Sequence, residues 1–444
     1  MATRFPGRPD QRQTRAGRAS VYDFAPDGLV NGIFFRILLL VAPIQSVLLL
    51  PVQGSTAAFL LALLSPAILI GPDPRYGRLL AFYFGFAILY ALYMALSLSG
   101  YMIDEPDMSS LTVIREVYIW GHLKQTHVTQ GTYLWAAAVF SFLIYQYYQE
   151  SFIKYAFYGI MIIVCYGFYE FIFYAIFHVN GDFLSNRNFG DLNTAAAGAG
   201  HGDYATGSVL QQSNLFGPAF MRLKSLAAEP SMYALSVTPF AVYAYGRRWW
   251  WIFAILATSL VLSTSTTGLI GLLVGLLFIQ MRQRQEAVLY VAAGLIVIAL
   301  LYITVDPVYV ALNKLLFDKL DTVSGSDRIQ SFVAQASVPF DGNPIRALFG
   351  LGFGTVRATD MMSNLLANVG ILGLLGYSSL ILLPCFLIRQ GIDRAAIIGT
   401  LLAIFAMEML TVSEYSYLPP WFMIALGFVR LREQKPLLAR QRVG

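Results

Sequence analysis

Residues 248–281 read RWWWIFAILATSLVLSTSTTGLIGLLVGLLFIQM. A helix crosses the hydrocarbon core of a bilayer with roughly 20 mainly apolar residues, so this run is too long for one span. The polar break STSTT at 263–267 divides it into a tight hairpin of two spans. Working outward, similar apolar runs recur near 31–50, 55–71, 79–99, 131–148, 153–178, 231–246, 286–304, 365–387, 394–411 and 416–430. With the two halves of the hairpin, at 248–263 and 265–281, that makes twelve. The composition agrees: 57% of residues are hydrophobic and only 12% charged, about half the charge of a soluble domain. The expected fold class is an all-α polytopic membrane protein with about 12 transmembrane helices.

The placement of charge gives an orientation. With a cytoplasmic N-terminus, 19 of the 30 Lys and Arg fall on short cytoplasmic segments. They comprise five arginines before residue 30, then Arg75, Arg78, Lys154, Arg247, Arg248, Arg282, Arg284, Arg389 and Arg394, and the basic C-terminal tail. The bias alternates at every loop, which predicts that both ends are cytoplasmic. Residues 1–30 are too long and basic for the n-region of a cleaved leader, so they read as a tail before an uncleaved span. The expected division is a basic tail at 1–30, a membrane domain at 31–430 and a second basic tail at 431–444. The polar mass then lies outside, in loops 100–130, 179–229 and 305–362. The glycine-, asparagine- and alanine-rich stretch 181–217 predicts a mobile flap. Helical patterns near 308–320 and 326–337 predict a small helical cap in the last loop. The two cysteines, Cys165 and Cys385, both sit in apolar runs, which argues against a structural disulfide.

Four polar stretches stand out against this background. In MRLKSLAAEPSMYALSVTPF, 221–240, Pro230 disfavours helix at Glu229 and suits the first turn of the next span. That places Glu229 at a helix N-cap on the outer face, beside Arg222 and Lys224. A helix N-terminus with two cations favours an anion; the plainer reading is a cap with interfacial cations. DTVSGSDRIQSF, 321–332, carries Arg328 at the start of a helical pattern. NPIRALFGLGFGT, 343–355, has glycines whose spacing does not fit a nucleotide fingerprint and which instead suit tight turns. DMMSNLLANVGILGLLGY, 360–377, enters a span with Asp360, Ser363 and Asn364 at its mouth. Glu170 and Glu408 lie deeper within spans, where they serve an ion path or pair with polar neighbours. Glu414 sits at the outer mouth between the last two spans. No His, Cys or carboxylate cluster has metal-ligand spacing, so no metal and no cofactor are expected.

In their order, these stretches resemble the Wzy-type polysaccharide polymerase and O-antigen ligase superfamily. The matching features are an arginine before EPS ahead of a span (Arg222 to Ser231), the hairpin break STSTTG (263–268), an arginine followed by GLGFGT in a long outer loop, and a polar residue and Asn leading into GILGLLGY. Together they cover 220–378. Two departures are present: Ser265-Thr266 stands where the family often has Ser-Arg, and Ser363 stands where ligases often carry a histidine before the Asn. The second departure argues against a ligase and leaves the base unassigned.

The resemblance implies a metal-independent glycosyltransferase on the periplasmic face of a bacterial inner membrane. It would join undecaprenyl-pyrophosphate-linked oligosaccharide repeat units into exopolysaccharide or O-antigen. Arg222 and Arg328 would grip the pyrophosphate, since planar guanidinium forks bind phosphate at two points, with Lys224 beside them. Glu229 would be the base, with Glu414 and Asp360 in reserve, although a helix N-terminus lowers a carboxylate's basicity. Ser363 and Asn364 would contact substrate, and Trp120, Tyr204, Tyr417 and Trp421 would stack on sugars. Expected partners are the lipid bilayer and the flippase and chain-length or export proteins of the same pathway; nucleic acid is not among them. A ligase and a 12-span secondary transporter are the competing readings.

Overall fold

The polar break at 263–267 forms the expected turn. Helix α7 (Trp250–Ser263) ends at Thr264, which takes a left-handed conformation (φ 46°) and donates its N–H to the Val261 carbonyl at 3.0 Å. Helix α8 (Thr266–Gln283) then begins two residues further on and packs on other helices, with little contact along α7. The computed structural model describes residues 28–50, 54–114, 117–186, 212–213, 220–283, 300–305, 309, 323–391 and 393–441.

Among the described residues, eleven of the twelve apolar runs hold one of the helices named here. Before this pair come α1 (Gly28–Val41), α2 (Ala57–Ile68), α3 (Pro74–Ile103), α4 (Gln125–Tyr147), α5 (Ser151–Phe177) and α6 (Pro230–Gly246). After it, the last loop contributes α9 (Val323–Ser337) and α10 (Pro344–Phe349), and the chain ends in α11 (Met361–Leu387), α12 (Arg394–Thr411) and α13 (Leu418–Gln441). The run 286–304 lies outside the described residues except for its end. Among the described residues, six helices are long and apolar enough to cross a membrane: α3, α4, α5, α8, α11 and α12. Residues 32–41, α2 and α7 are apolar but shorter.

Burial sorts these helices into layers. The most apolar stretch of α12 is 61% buried within the protein, whereas that of α3 is 11% buried. Helix α12 therefore runs through the middle of the bundle, and α3 presents leucine, isoleucine and phenylalanine outward on the rim. A bilayer rewards that inversion, because lipid solvates apolar side chains that water would reject. The core is aromatic: Phe157, Phe240, Tyr243 and Phe422 pack together, with Phe240 and Phe422 stacked at 6.0 Å.

Short elements close one end of the bundle. Strands β1 (Tyr118–Trp120) and β2 (Leu123–Lys124) form a hairpin ahead of α4, so the predicted loop 100–130 is shorter than its sequence limits. Strands β3 (Gln212–Ser213) and β4 (Phe220–Met221) pair before the turn into α6. The predicted helical pattern at 326–337 forms α9, while that at 308–320, apart from Tyr309, lies outside the described residues, as does most of the predicted flap.

Candidate functional site

Pro230 occupies the first turn of α6 and Glu229 is its N-cap, with extended backbone (φ −130°, ψ 147°). The Glu229 side chain does not cap the helix; its Oε2 lies 3.4 Å from the Ser231 hydroxyl. The chain reaching Glu229 is strained. Ser225 (φ 53°) and Ala228 (φ 74°) both have positive φ without being glycine, a conformation that persists only where surrounding contacts fix it. Those contacts are present. The Leu226 carbonyl accepts from the backbone N–H groups of Gln45 and Ser46, each at 3.0 Å. The Ala227 carbonyl accepts from the Tyr417 hydroxyl at 2.8 Å, and the Ser225 N–H donates to Glu170 at 3.0 Å.

Lys224 supplies the anchor beneath this turn. Its ammonium is fully buried, 3.1 Å from Asp182 and 3.9 Å from Glu170. Asp182 is held in turn by the Tyr166 hydroxyl and the Ser185 N–H. This corrects the expectation that Lys224 faces substrate, because its charge points into the protein between two carboxylates. It also resolves the two readings of Glu170 in favour of polar pairing.

Arg222 points the other way. Its Nε donates to the Ser263 carbonyl at 3.2 Å and the Thr264 hydroxyl at 2.9 Å, and Nη2 lies 3.4 Å from the Thr264 carbonyl. The guanidinium thus closes the C-terminus of α7, where exposed carbonyls attract a cation. Burial pulls its pKa below the ordinary arginine value, and the Glu229 charge acts in the opposite direction.

The remaining elements meet at the same end. Asp360 caps α11, accepting from the Ser363 N–H and hydroxyl, each at 2.8 Å. The Ser363 oxygen also lies 3.2 Å from Gln335 Oε1 on α9. Asn364 Oδ1 accepts from Asn368 at 2.6 Å. Helix α11 breaks at Gly370 (φ 64°, ψ −167°), and the GLGFGT loop fills the break. Leu351 and Gly352 donate to the Ala367 and Asn368 carbonyls at 2.9 Å each. The Asn368 side chain accepts from the N–H groups of Thr355 and Val356, both at 2.9 Å. Segment 412–417 spans the cluster: Tyr417 reaches Ala227, and the Ser413 hydroxyl donates to the Ala358 carbonyl. Within this segment Glu414 accepts from the Ser416 N–H at 2.8 Å.

The structure therefore gathers Arg222, Glu229, Asp360, Ser363, Asn364 and Glu414 at one end of the bundle. Arg328 belongs to α9, which is anchored there through Gln335, but its side chain lies outside the described residues, as does all of Tyr204. Tyr417 and Trp421 were expected as stacking platforms; both are instead buried in the core, at 3% and 4% exposure, with Trp421 donating to the Tyr415 carbonyl. Trp120 is 83% exposed at the tip of the β1–β2 hairpin. It overhangs an apolar groove of about 640 Å³ between α3 and α4.

Sequence reasoning missed Asp182, Gln335, Asn368 and Tyr377. Asn368 and Tyr377 carried a usable signal as polar groups inside an apolar run. Tyr377 donates to the buried Glu408 at 2.8 Å, the polar pairing that Glu408 was expected to make or else replace with an ion path. Asp182 and Gln335 had no such signal, since the contacts that tie them to this end, Lys224 for Asp182 and Ser363 for Gln335, are 42 and 28 residues away. No group of three or more potential metal ligands occurs among the described residues. Neither a family model nor a curated protein matches the chain.

Proposed function

We propose that the protein is a polymerase of polyprenyl-pyrophosphate-linked oligosaccharides, a glycosyltransferase with twelve spans acting on the periplasmic face of a bacterial inner membrane. The observation that carries this reading is spatial. Four stretches scattered over residues 221–377 resemble the superfamily in sequence, and they meet at one end of the bundle. Arg222 joins the hairpin break, the GLGFGT loop joins the Asn364–Asn368 turn of α11, and segment 412–417 links the two pairs.

Breaking a sugar–pyrophosphate bond places charge on the leaving phosphate, and arginines stabilise it without a nucleotide or metal. In this reading Arg222 and Arg328 bind the pyrophosphate. The acceptor hydroxyl loses its proton to a carboxylate, Glu229 first, with Glu414 and Asp360 also at this end. Asp360 is the weakest of the three as a base, because it already accepts two hydrogen bonds from Ser363.

The break in α11 favours one other reading, a secondary transporter, because discontinuous helices build the substrate sites of many such proteins. In those sites the freed backbone groups bind cargo. Here the carbonyls of Ala367 and Asn368 accept from the 350–355 loop and that of Val369 from the Tyr93 hydroxyl, which favours the enzyme.

The test incubates purified protein in lipid nanodiscs with a lipid-linked repeat unit and resolves the products by size. A ladder of longer lipid-linked chains is expected. Unchanged substrate, with a folded protein and several donor structures tried, rejects the proposal.

A further inference from the structure

At the opposite end of the bundle lies a cavity of about 470 Å³. It forms where the turn after α6, the last turn of α8 and the first turn of α12 come together, and its wall contains Arg247, Arg248, Arg282 and Arg394. Among the described residues that line it there is no carboxylate. Four guanidinium groups around one cavity repel one another, and an arrangement of this kind is stable when an anion occupies it.

Two carboxylates at this end of the bundle form their ion pairs with Arg430, which is not part of the cavity wall. Asp393 accepts from the Tyr243 hydroxyl at 3.2 Å and from Arg430 at 3.0 Å. Glu150 bonds Arg430 at 2.6 Å. The Nε of Arg394 is buried and has no hydrogen-bond partner among the described residues, a costly state for a charged donor. Arg248 has φ 61°, a backbone conformation that persists in a non-glycine residue where the local structure requires it.

The walls are close and fixed. A Cβ on Gly246 would lie 2.5 Å from that of Ala396, so the end of α6 and the start of α12 are in direct contact. Ala395 and Ala396, in the first turn of α12, line the cavity and add the positive end of that helix. Phe278 and Ile398 give it an apolar wall. An anion with an apolar continuation fits both surfaces. Basic pockets between membrane helices bind anionic headgroups in this way.

We infer that this cavity binds a phosphate-bearing anion, the phosphodiester headgroup of an anionic phospholipid or a soluble phosphate of similar size. The site is separate from the candidate active site and does not depend on the polymerase reading.

The test is native mass spectrometry of the purified full-length protein in mixed micelles containing phosphatidylglycerol or phosphatidylcholine, each with and without inorganic pyrophosphate. The variant combines Arg248→Gln and Arg282→Gln, both on exposed side chains, so folding is preserved. Arg389→Gln, exposed and outside the cavity, is the control. Wild type is expected to retain phosphatidylglycerol over phosphatidylcholine, and the double variant to lose about tenfold or more of that occupancy, while the control keeps it. Displacement of the lipid by pyrophosphate, or pyrophosphate binding alone that the double variant loses, identifies the soluble source. Equal retention of both lipids with no pyrophosphate binding, or unchanged binding in the double variant, overturns the inference.

Discussion

At the scale of single residues, the turn ahead of α6 sends neighbouring cations in opposite directions, and substitutions there should separate into two kinds. Lys224 is buried between Asp182 and Glu170. Lys224→Met leaves two carboxylates facing each other without a cation. Removing one partner of a buried pair costs about 3–5 kcal/mol, so the variant should melt several degrees lower in detergent. An unchanged melting temperature would mean that these charges do not meet. Arg222→Lys keeps the charge but loses the planar fork that holds Ser263 and Thr264. It should accumulate normally and lose most polymer formation; near-normal product would remove Arg222 from the chemistry. The three carboxylates need a side-by-side comparison. General-base removal costs about 10²–10⁴ in rate. Glu229→Gln should fall in that range with donor binding intact, while Glu414→Gln and Asp360→Asn fall less. A Glu229→Gln enzyme within a few-fold of wild type moves the proton acceptor to one of the other two.

At the scale of elements, the sequence predicts what depends on neighbours in the chain and misses what depends on distant ones. The break between α7 and α8 follows from a polar interruption in an apolar run, and the α6 N-cap follows from Pro230, both local causes. The two helices do not pair as the expected tight hairpin, because each packs on other helices instead. The clamp on Lys224 was not legible, because Asp182 is 42 residues away and Arg222, Lys224 and Glu229 look like one surface cluster. The burial of Tyr417 and Trp421 was missed for the same reason, since an aromatic at a helix end gives no sign of which face its neighbours cover. The glycines of GLGFGT were read as turns, and their partner, the break in α11, emerged only from the packing. Gly370 takes φ 64°, and a Cβ there would sit 2.6 Å from the Leu348 carbonyl. A Cβ on Gly350 would sit 2.5 Å from the Asn368 backbone. Gly370→Ala therefore cannot be absorbed by moving a flexible side chain. It should separate the loop from α11, and the expected reading is lower thermal stability together with faster proteolysis within 341–360. A variant as stable and protease-resistant as wild type would show that the break closes into continuous helix.

At the scale of the whole molecule, the two ends of the bundle differ in charge, and that difference predicts how the protein sits in the membrane. One end gathers the β1–β2 hairpin, the turn before α6, the hairpin break and segment 412–417. The other gathers Arg75, Arg247, Arg248, Arg282, Arg389, Arg394 and Arg430, with Arg430 bridging Glu150 and Asp393 across three helices. Short loops rich in arginine stay in the cytoplasm during insertion, so the arginine-rich end should face inward and the Glu229 end outward. Two exposed positions test both ends in one protein. Trp120 lies on the β1–β2 hairpin and Gln390 between α11 and α12, each exposed. In a background with Cys165→Ala and Cys385→Ala, Trp120→Cys should react with a membrane-impermeant maleimide in cells whose outer membrane alone is permeabilised. Gln390→Cys should react only after the inner membrane is also opened. Reaction at Gln390→Cys in cells with an intact inner membrane, with protection at Trp120→Cys, would invert the orientation. It would also place the gathered carboxylates and Arg222 in the cytoplasm, where a polymerase of exported lipid-linked sugars has no substrate.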